Sequence, residues 1–229
     1  MKNIIKFILV ILLFLSGGSL LVLFLKGVGF NLKAFDVLDY NYLECITYML
    51  FALIVFLLYR KYFKADYKEF KNGFKSYLEI IIKYTVLFFI IKIGCAVLTE
   101  IIGLIIGANI GESANQESIN ALVKASPIVM LITITFLGPI VEEGIFRLGL
   151  RKVIKNKYVF LTLTGLMFGL MHIFPTNMHL DVALTYSIIY VMMGIYLGYV
   201  YEETDNIWVP IIIHSLNNFI SFILIITIL

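Results

Sequence analysis

What most restricts the fold of this chain is a series of seven apolar runs, roughly residues 3–25, 43–60, 78–107, 127–150, 157–173, 182–201 and 207–228. Each is near the ~20 residues that an α-helix needs to cross the hydrocarbon core of a bilayer. With 61% hydrophobic and 14% charged residues over 229 positions, too little polar surface remains to cover a water-soluble globule. Backbone groups in lipid must be satisfied within a helix or a closed barrel, and these runs are too long and too continuous for barrel strands. The sequence therefore predicts an all-α, polytopic transmembrane helix bundle of about seven spans. Residues 1–125 form a three-helix N-terminal part with a basic cytoplasmic loop at 60–77 and an outer loop at 108–125. Residues 126–229 form a four-helix C-terminal part.

Orientation follows from the basic residues. Lys2 and Lys6, then Arg60, Lys61, Lys64, Lys68, Lys71 and Lys75, then Arg151, Lys152, Lys155 and Lys157 fall on one side under this count. The positive-inside rule makes that side the cytoplasm, with the N-terminus inside and the C-terminus outside. The opposite side receives Lys26, Lys33 and Lys124 and acidic or neutral stretches such as 111–120. One inner loop departs from the pattern: 201–206 carries Glu202, Glu203 and Asp205 and no basic residue. The segment 60–75 interleaves lysines with Tyr62, Phe63, Tyr67, Phe70 and Phe74, which suits an anionic leaflet. Basic residues dispersed along a membrane edge do not suit nucleic acid. The apolar run at Leu20 to Leu25 resumes after Ser16-Gly17-Gly18-Ser19, as in a retained span rather than a cleaved signal peptide. Cys45 and Cys95 have no CxxC spacing and read as packing residues.

Against this apolar background, Glu142, Glu143 and Arg147 stand within six residues of one another in the fourth run. Ionised side chains in hydrocarbon cost several kcal/mol each or must find partners, so they mark a functional site by default. On a helix Glu143 and Arg147 are spaced i, i+4 and can pair, while Glu142 is rotated by about 100° toward another face. The pairing neutralises Glu143 and leaves Glu142 for a cavity, although all three can also act as a structural brace. The next run places Phe168 one turn before His172, and Gly165-x-x-x-Gly169 lets a neighbouring helix come close. The last run places His214 and Asn218 one turn apart on one face. His179 follows Pro175 in an outer loop and reads as a surface residue. Measured from the inner turns at about 1.5 Å per residue, Glu142, His172, His214 and Asn218 lie about 18, 27, 15 and 21 Å deep. Those depths overlap enough to permit a common site.

Glu-Glu-x-x-x-Arg, Phe-x-x-x-His and His-x-x-x-Asn, in this order on successive apolar runs, resemble the signature of the CPBP family of intramembrane proteases. That family includes the CAAX prenyl endopeptidases and the bacterial Abi proteins linked to bacteriocin processing and self-immunity. The resemblance covers residues 127–229. It implies a hydrolase that cleaves peptide bonds within the membrane, with Glu142 and His172 activating water, and His214 and Asn218 stabilising the oxyanion. Glu143, Arg147 and Phe168 then support the site from behind. It also implies a possible metalloprotease: Glu142, His172 and His214 are ligand types of a catalytic zinc site, although no His-Glu-x-x-His motif is present. Zinc or another divalent metal and a metal-free glutamate mechanism both suit these residues. The expected partners are the lipid bilayer and a peptide or small membrane-protein substrate. The Lys-, Ile- and Asn-rich composition suggests a bacterial source with AT-rich DNA, and so a bacterial plasma membrane, where leader peptides, bacteriocin precursors or signalling peptides fit better than prenylated proteins.

Two other functions suit parts of the sequence. A membrane scaffold or bacteriocin self-immunity protein, binding a peptide or sensor partner, accounts for the hydrophobicity and for Gly194-x-x-x-Gly198. A transporter accounts for Lys92 with Glu100 two turns away, but no inverted-repeat pattern accompanies them.

Overall fold

A computed structural model describes residues 2–31, 35–107, 114–173 and 180–228, apart from the side chains of 114 and 115. These residues form eight helices: α1 (Lys2–Gly27), α2 (Val37–Asn72), α3 (Phe74–Ile106), α4 (Ala114–Ala125), α5 (Pro127–Val153), α6 (Lys157–Ile173), α7 (Leu180–Thr204) and α8 (Trp208–Ile228). Six are long and apolar enough to cross a bilayer, and α6 is a shorter apolar helix of 17 residues. The polytopic helical bundle is as expected, with α6 filling the place of the fifth run.

Helix boundaries follow local chemistry. Asp36 and Asp39 form a reciprocal capping box at the start of α2, satisfying backbone donors that the first turn leaves unpaired. Asn156 accepts from the Val159 amide at the start of α6, and Asn206 does the same for Trp208 at the start of α8. Gly107 ends α3 at a φ of 68°, a left-handed conformation that a Cβ would strain.

Two loops expected from polarity are helical instead. Residues 60–72 continue α2, and Gly73 alone separates it from α3. The stretch contains no proline or glycine to stop the helix, and its aromatics fall on one face. Phe63 and Tyr67 meet Trp208 with ring centroids 5.8 and 5.9 Å apart, and Phe70 meets Tyr77 at 5.3 Å. At 36 residues α2 extends about 54 Å, well beyond a ~30 Å hydrocarbon core. Its projecting end holds the α7–α8 turn: Asn206 donates to Asp66 O at 2.8 Å, and the Ile207 amide donates to the Asp66 carboxylate at 3.0 Å. The second correction concerns 108–125, where residues 114–125 form α4 and 108–113 lie outside the described residues. Its Val123 packs with Met130, Phe222 and Ile225, and the buried Asn41 donates to Leu122 O at 2.9 Å. Burial of that apolar face is what organises a segment whose mean polarity suggested a loop.

The acidic turn at 201–206 finds its counter-charges across the bundle. Glu202 pairs with Arg151, and Glu203 with Lys157 at 2.8 Å. It therefore lies at the same end as the basic residues near 151–157 and the projecting part of α2.

The principal core is shared by both parts of the chain, joining Val10, Val55, Tyr59 and Phe63 to Val141, Ile145, Phe146 and Phe168. A second core joins Ile81 and Phe88 to Met193, Leu197 and Ile213. In α1 only Val10 is buried, while much of α5 is enclosed. Phe7, Ile11 and Phe14 of α1 pack against the principal core, while Ile5, Leu9, Leu12 and Leu15 are exposed, as lipid-facing residues are.

The two small-residue motifs face each other between α6 and α7. A Cβ on Gly194 would lie 2.9 Å from Gly165 Cα, and one on Gly198 would lie 2.7 Å from the Thr164 methyl. Dispersion between closely approaching backbones holds such pairs in lipid. Gly194→Val should lower stability by about 1–3 kcal/mol through overpacking. Thermal unfolding in detergent measures this, and an unchanged midpoint would show that α6 and α7 do not depend on the contact.

Candidate active site

The site is built around irregularities in α5. Two segments, Thr133–Leu137 and Gly144–Gly149, widen into π-helical turns, and between them lies the α-helical segment Gly138–Glu143 carrying both glutamates. The first irregularity has a local cause. The Gly138 amide bonds to Thr133 O in the i, i+5 register, so the next donor, for Ile134 O, would be residue 139. That residue is Pro139, which has no amide proton. Asn218 replaces it, donating from Nδ2 to Ile134 O at 2.8 Å. In the second irregularity the Phe146 carbonyl accepts from Thr164 Oγ1 at 3.0 Å. Side chains of α6 and α8 thus satisfy α5 carbonyls that would otherwise be costly in an apolar interior.

Glu143 and Arg147 pair at 3.1 Å, with both side chains fully buried. The guanidinium also donates to Gly194 O at 2.9 Å and lies 4.8 Å from the Phe168 ring centroid. The same Glu143 Oε1 lies 2.8 Å from His214 Nδ1. An ionised carboxylate only accepts, so that ring nitrogen carries the proton and donates. Glu143 therefore links α5 to α8, and Arg147 links α5 to α6 and α7. Glu143 Oε2 and Arg147 Nε are buried without a hydrogen-bond partner, which makes the network sensitive to loss of either member.

His172 lies next to the last residue of α6, with its ring between Phe168 and Tyr190 at centroid separations of 4.4 and 4.7 Å. Its Nδ1 is 2.8 Å from Phe168 O. Since a carbonyl oxygen accepts, this nitrogen is also the donor. In their neutral forms both His172 and His214 consequently bear the free lone pair on Nε2.

Glu142, His172, His214 and Asn218 line one cavity of about 440 Å³ to which all eight helices contribute, α1 through Phe14 and α4 through Ile119 and Leu122. Glu142 Oε2 is buried with no hydrogen-bond partner, and His214 Nε2 stands 3.9 Å from it. That separation is too long for a direct hydrogen bond. The unmatched carboxylate oxygen is therefore available to a group entering the cavity. Asn218 is partly committed: Nδ2 donates to Ile134 O and Oδ1 accepts from Asn217 Nδ2 at 2.9 Å, leaving one amide hydrogen.

Glu142, His172 and His214 supply the donor types expected at zinc. Their side chains are not gathered around a common point, however, and among the described residues no three His, Cys, Asp or Glu groups stand close enough to hold one ion. The arrangement in this structure therefore does not fit a three-ligand metal centre.

Other sequence expectations fall differently. His179 lies outside the described residues. Lys92 bonds to Asn217 rather than facing Glu100, which is exposed, so the intramembrane pair that favoured transport is not formed. Tyr190, Asn217 and the Ile134 carbonyl were not singled out from the sequence. Pro139 was the available signal for the last of these, but its partner is 84 residues away.

A family model covers the region of the candidate site. Residues 124–220 match the family described as type II CAAX prenyl endopeptidase Rce1-like. The chain is 31% identical over 183 residues to "UPF0177 protein YvdC" of Lactococcus lactis, covering 78% of this chain and 65% of that protein. It is 31% identical over 114 residues to "Putative membrane peptidase YdiL" of Bacillus subtilis, covering 47% of this chain and 41% of that one. The chain thus spans less than two thirds of either relative's length. No solved structure matches it.

Proposed function

We propose, from the premise that residues 124–220 form an Rce1-like domain of the CPBP family, that this chain is an intramembrane endopeptidase. The observation that carries the reading is the buried, unbonded Glu142 Oε2 facing a cavity shared with His172, His214 and Asn218.

Amide hydrolysis needs a base for water, a donor for the oxyanion and a proton for the leaving amine. In the proposed mechanism Glu142 removes one proton from water, while the lone pair on His172 Nε2 accepts a hydrogen bond from the remaining O–H and orients the oxygen. The resulting hydroxide attacks the scissile carbonyl carbon. The remaining Asn218 amide hydrogen stabilises the oxyanion, joined by His214 as the imidazolium, in which Nε2 carries a proton in addition to the one on Nδ1. As the tetrahedral intermediate collapses, Glu142 returns its proton to the nitrogen and the C–N bond breaks, giving a carboxylic acid and an amine that leave and exchange a proton in water to become carboxylate and ammonium. Glu143 holds His214 and is itself neutralised by Arg147; Phe168 and Tyr190 hold the His172 ring. A low-dielectric cavity strengthens each of these electrostatic interactions.

Membrane-associated leader peptides, bacteriocin precursors or signalling peptides are the proposed substrates, with the protein in a bacterial plasma membrane and its N-terminus cytoplasmic. Replacing His172 or His214 by alanine should each lower cleavage of a reconstituted peptide about 10²–10⁴-fold. Wild-type turnover in either variant would remove that ring from the mechanism. In verified metal-free protein, shown by elemental content, activity should persist. Stoichiometric zinc lost in parallel with activity, and zinc-dependent recovery, would instead favour a metalloprotease.

A further inference from the structure

Lys92 lies near the middle of the 33-residue α3, outside the matched domain, and lines the same cavity as Glu142 and His172. Its Nζ donates to Asn217 Oδ1 at 2.7 Å and lies 5.9 Å from the Phe89 ring centroid. Among the described residues it forms no ion pair. An ammonium at this depth is costly without a counter-charge, and an intramembrane cation that faces a cavity is a binding group by default. The amide oxygen of Asn217 fixes its direction but supplies only a dipole. Asn217 Nδ2 in turn donates to Asn218 Oδ1 at 2.9 Å, so two hydrogen bonds separate the charge from a side chain of the candidate active site.

We propose that Lys92, held by Asn217, is a specificity subsite for a carboxylate of the bound peptide, either its C-terminal carboxylate or an acidic side chain near the scissile bond. The inference rests on the peptidase reading for the identity of the ligand. A single ammonium suits a monoanion, and a more highly charged phosphate would also meet Glu142 and Glu44, which line the same cavity. The lining contains no second cationic lysine or arginine to offset that repulsion.

The test uses the full chain in detergent micelles with Glu142→Gln, so that peptide binding is read without turnover. The probes are a fluorescent apolar peptide with a free C-terminal acid, its C-terminal amide, and amidated versions carrying one Glu or one Gln. At least one charged peptide should bind about tenfold or more tightly than its neutral twin, and the acid and Glu pairs distinguish the two sources of the carboxylate. Lys92→Met should abolish the preference and Lys92→Arg should retain it, a split that loss of packing alone would not produce. Equal binding of both charged peptides and their twins, no binding of any probe, or a preference surviving Lys92→Met would overturn the proposal. Cleavage of the same peptides by protein retaining Glu142 is scored separately. A Lys92-dependent preference without cleavage would sink the peptidase reading and leave the subsite, while cleavage without the preference would do the reverse.

Discussion

Glu142→Gln should yield an inserted, folded protein that cleaves its peptide about a thousandfold more slowly than wild type. The magnitude lies within the range for removing a positioned general base. The change is nearly isosteric, but an amide cannot accept the water proton or return it to the leaving nitrogen. Folding should survive because no hydrogen-bonded partner depends on Glu142 Oε2, whereas Glu143 and Arg147 hold neighbouring helices. Turnover by purified protein in liposomes, together with its melting temperature, separates the two effects. Wild-type turnover would remove Glu142 from the mechanism, and a large fall in melting temperature would assign it a structural role.

Arg147→Leu should be the most destabilising change, costing about 3–5 kcal/mol, because removing one partner leaves a buried charge uncompensated. Arg147 also loses its bond to Gly194 O and its stacking on Phe168. Adding Glu143→Gln should restore part of the stability by removing the stranded carboxylate. It should not restore activity, because His214 then loses the anionic acceptor at its Nδ1. Thermal unfolding and peptide cleavage of the single and double variants provide the comparison. Equal melting of the two would contradict the pair's energetic coupling, while recovery of both stability and cleavage would contradict the role given to Glu143.

Much of the fold was legible because lipid imposes simple rules. Run lengths gave the spans, and the spacing of Glu143 and Arg147 gave an ion pair that forms within one helix. The glycines on α6 and α7 anticipated the close approach, since a missing Cβ acts through local geometry. Residues 60–72 and 114–125 were less legible because polarity marks the end of a span without marking the end of a helix. Their order depends on distant partners, Trp208 for α2 and Met130, Phe222 and Ile225 for α4. Within the candidate site, the sequence singled out Glu142, Phe168, His172, His214 and Asn218, which line the cavity, but not Tyr190 or Asn217, which line it too. It did not reveal that Glu143 serves His214 across 71 positions, or that Asn218 replaces the amide donor missing at Pro139. Both relations depend on the rotation of α8 against α5, which one-dimensional spacing does not specify.

The most direct test of the central claim is mass spectrometry of a membrane-associated peptide incubated with purified, verified metal-free protein in liposomes made with ¹⁸O-water. The account predicts cleavage at a defined internal bond, one ¹⁸O atom in the new carboxylate, and loss of both products with Glu142→Gln. Absence of cleavage by folded protein in both metal-free and zinc-supplied form, while peptide binding survives Glu142→Gln, would contradict the peptidase account and favour a membrane scaffold.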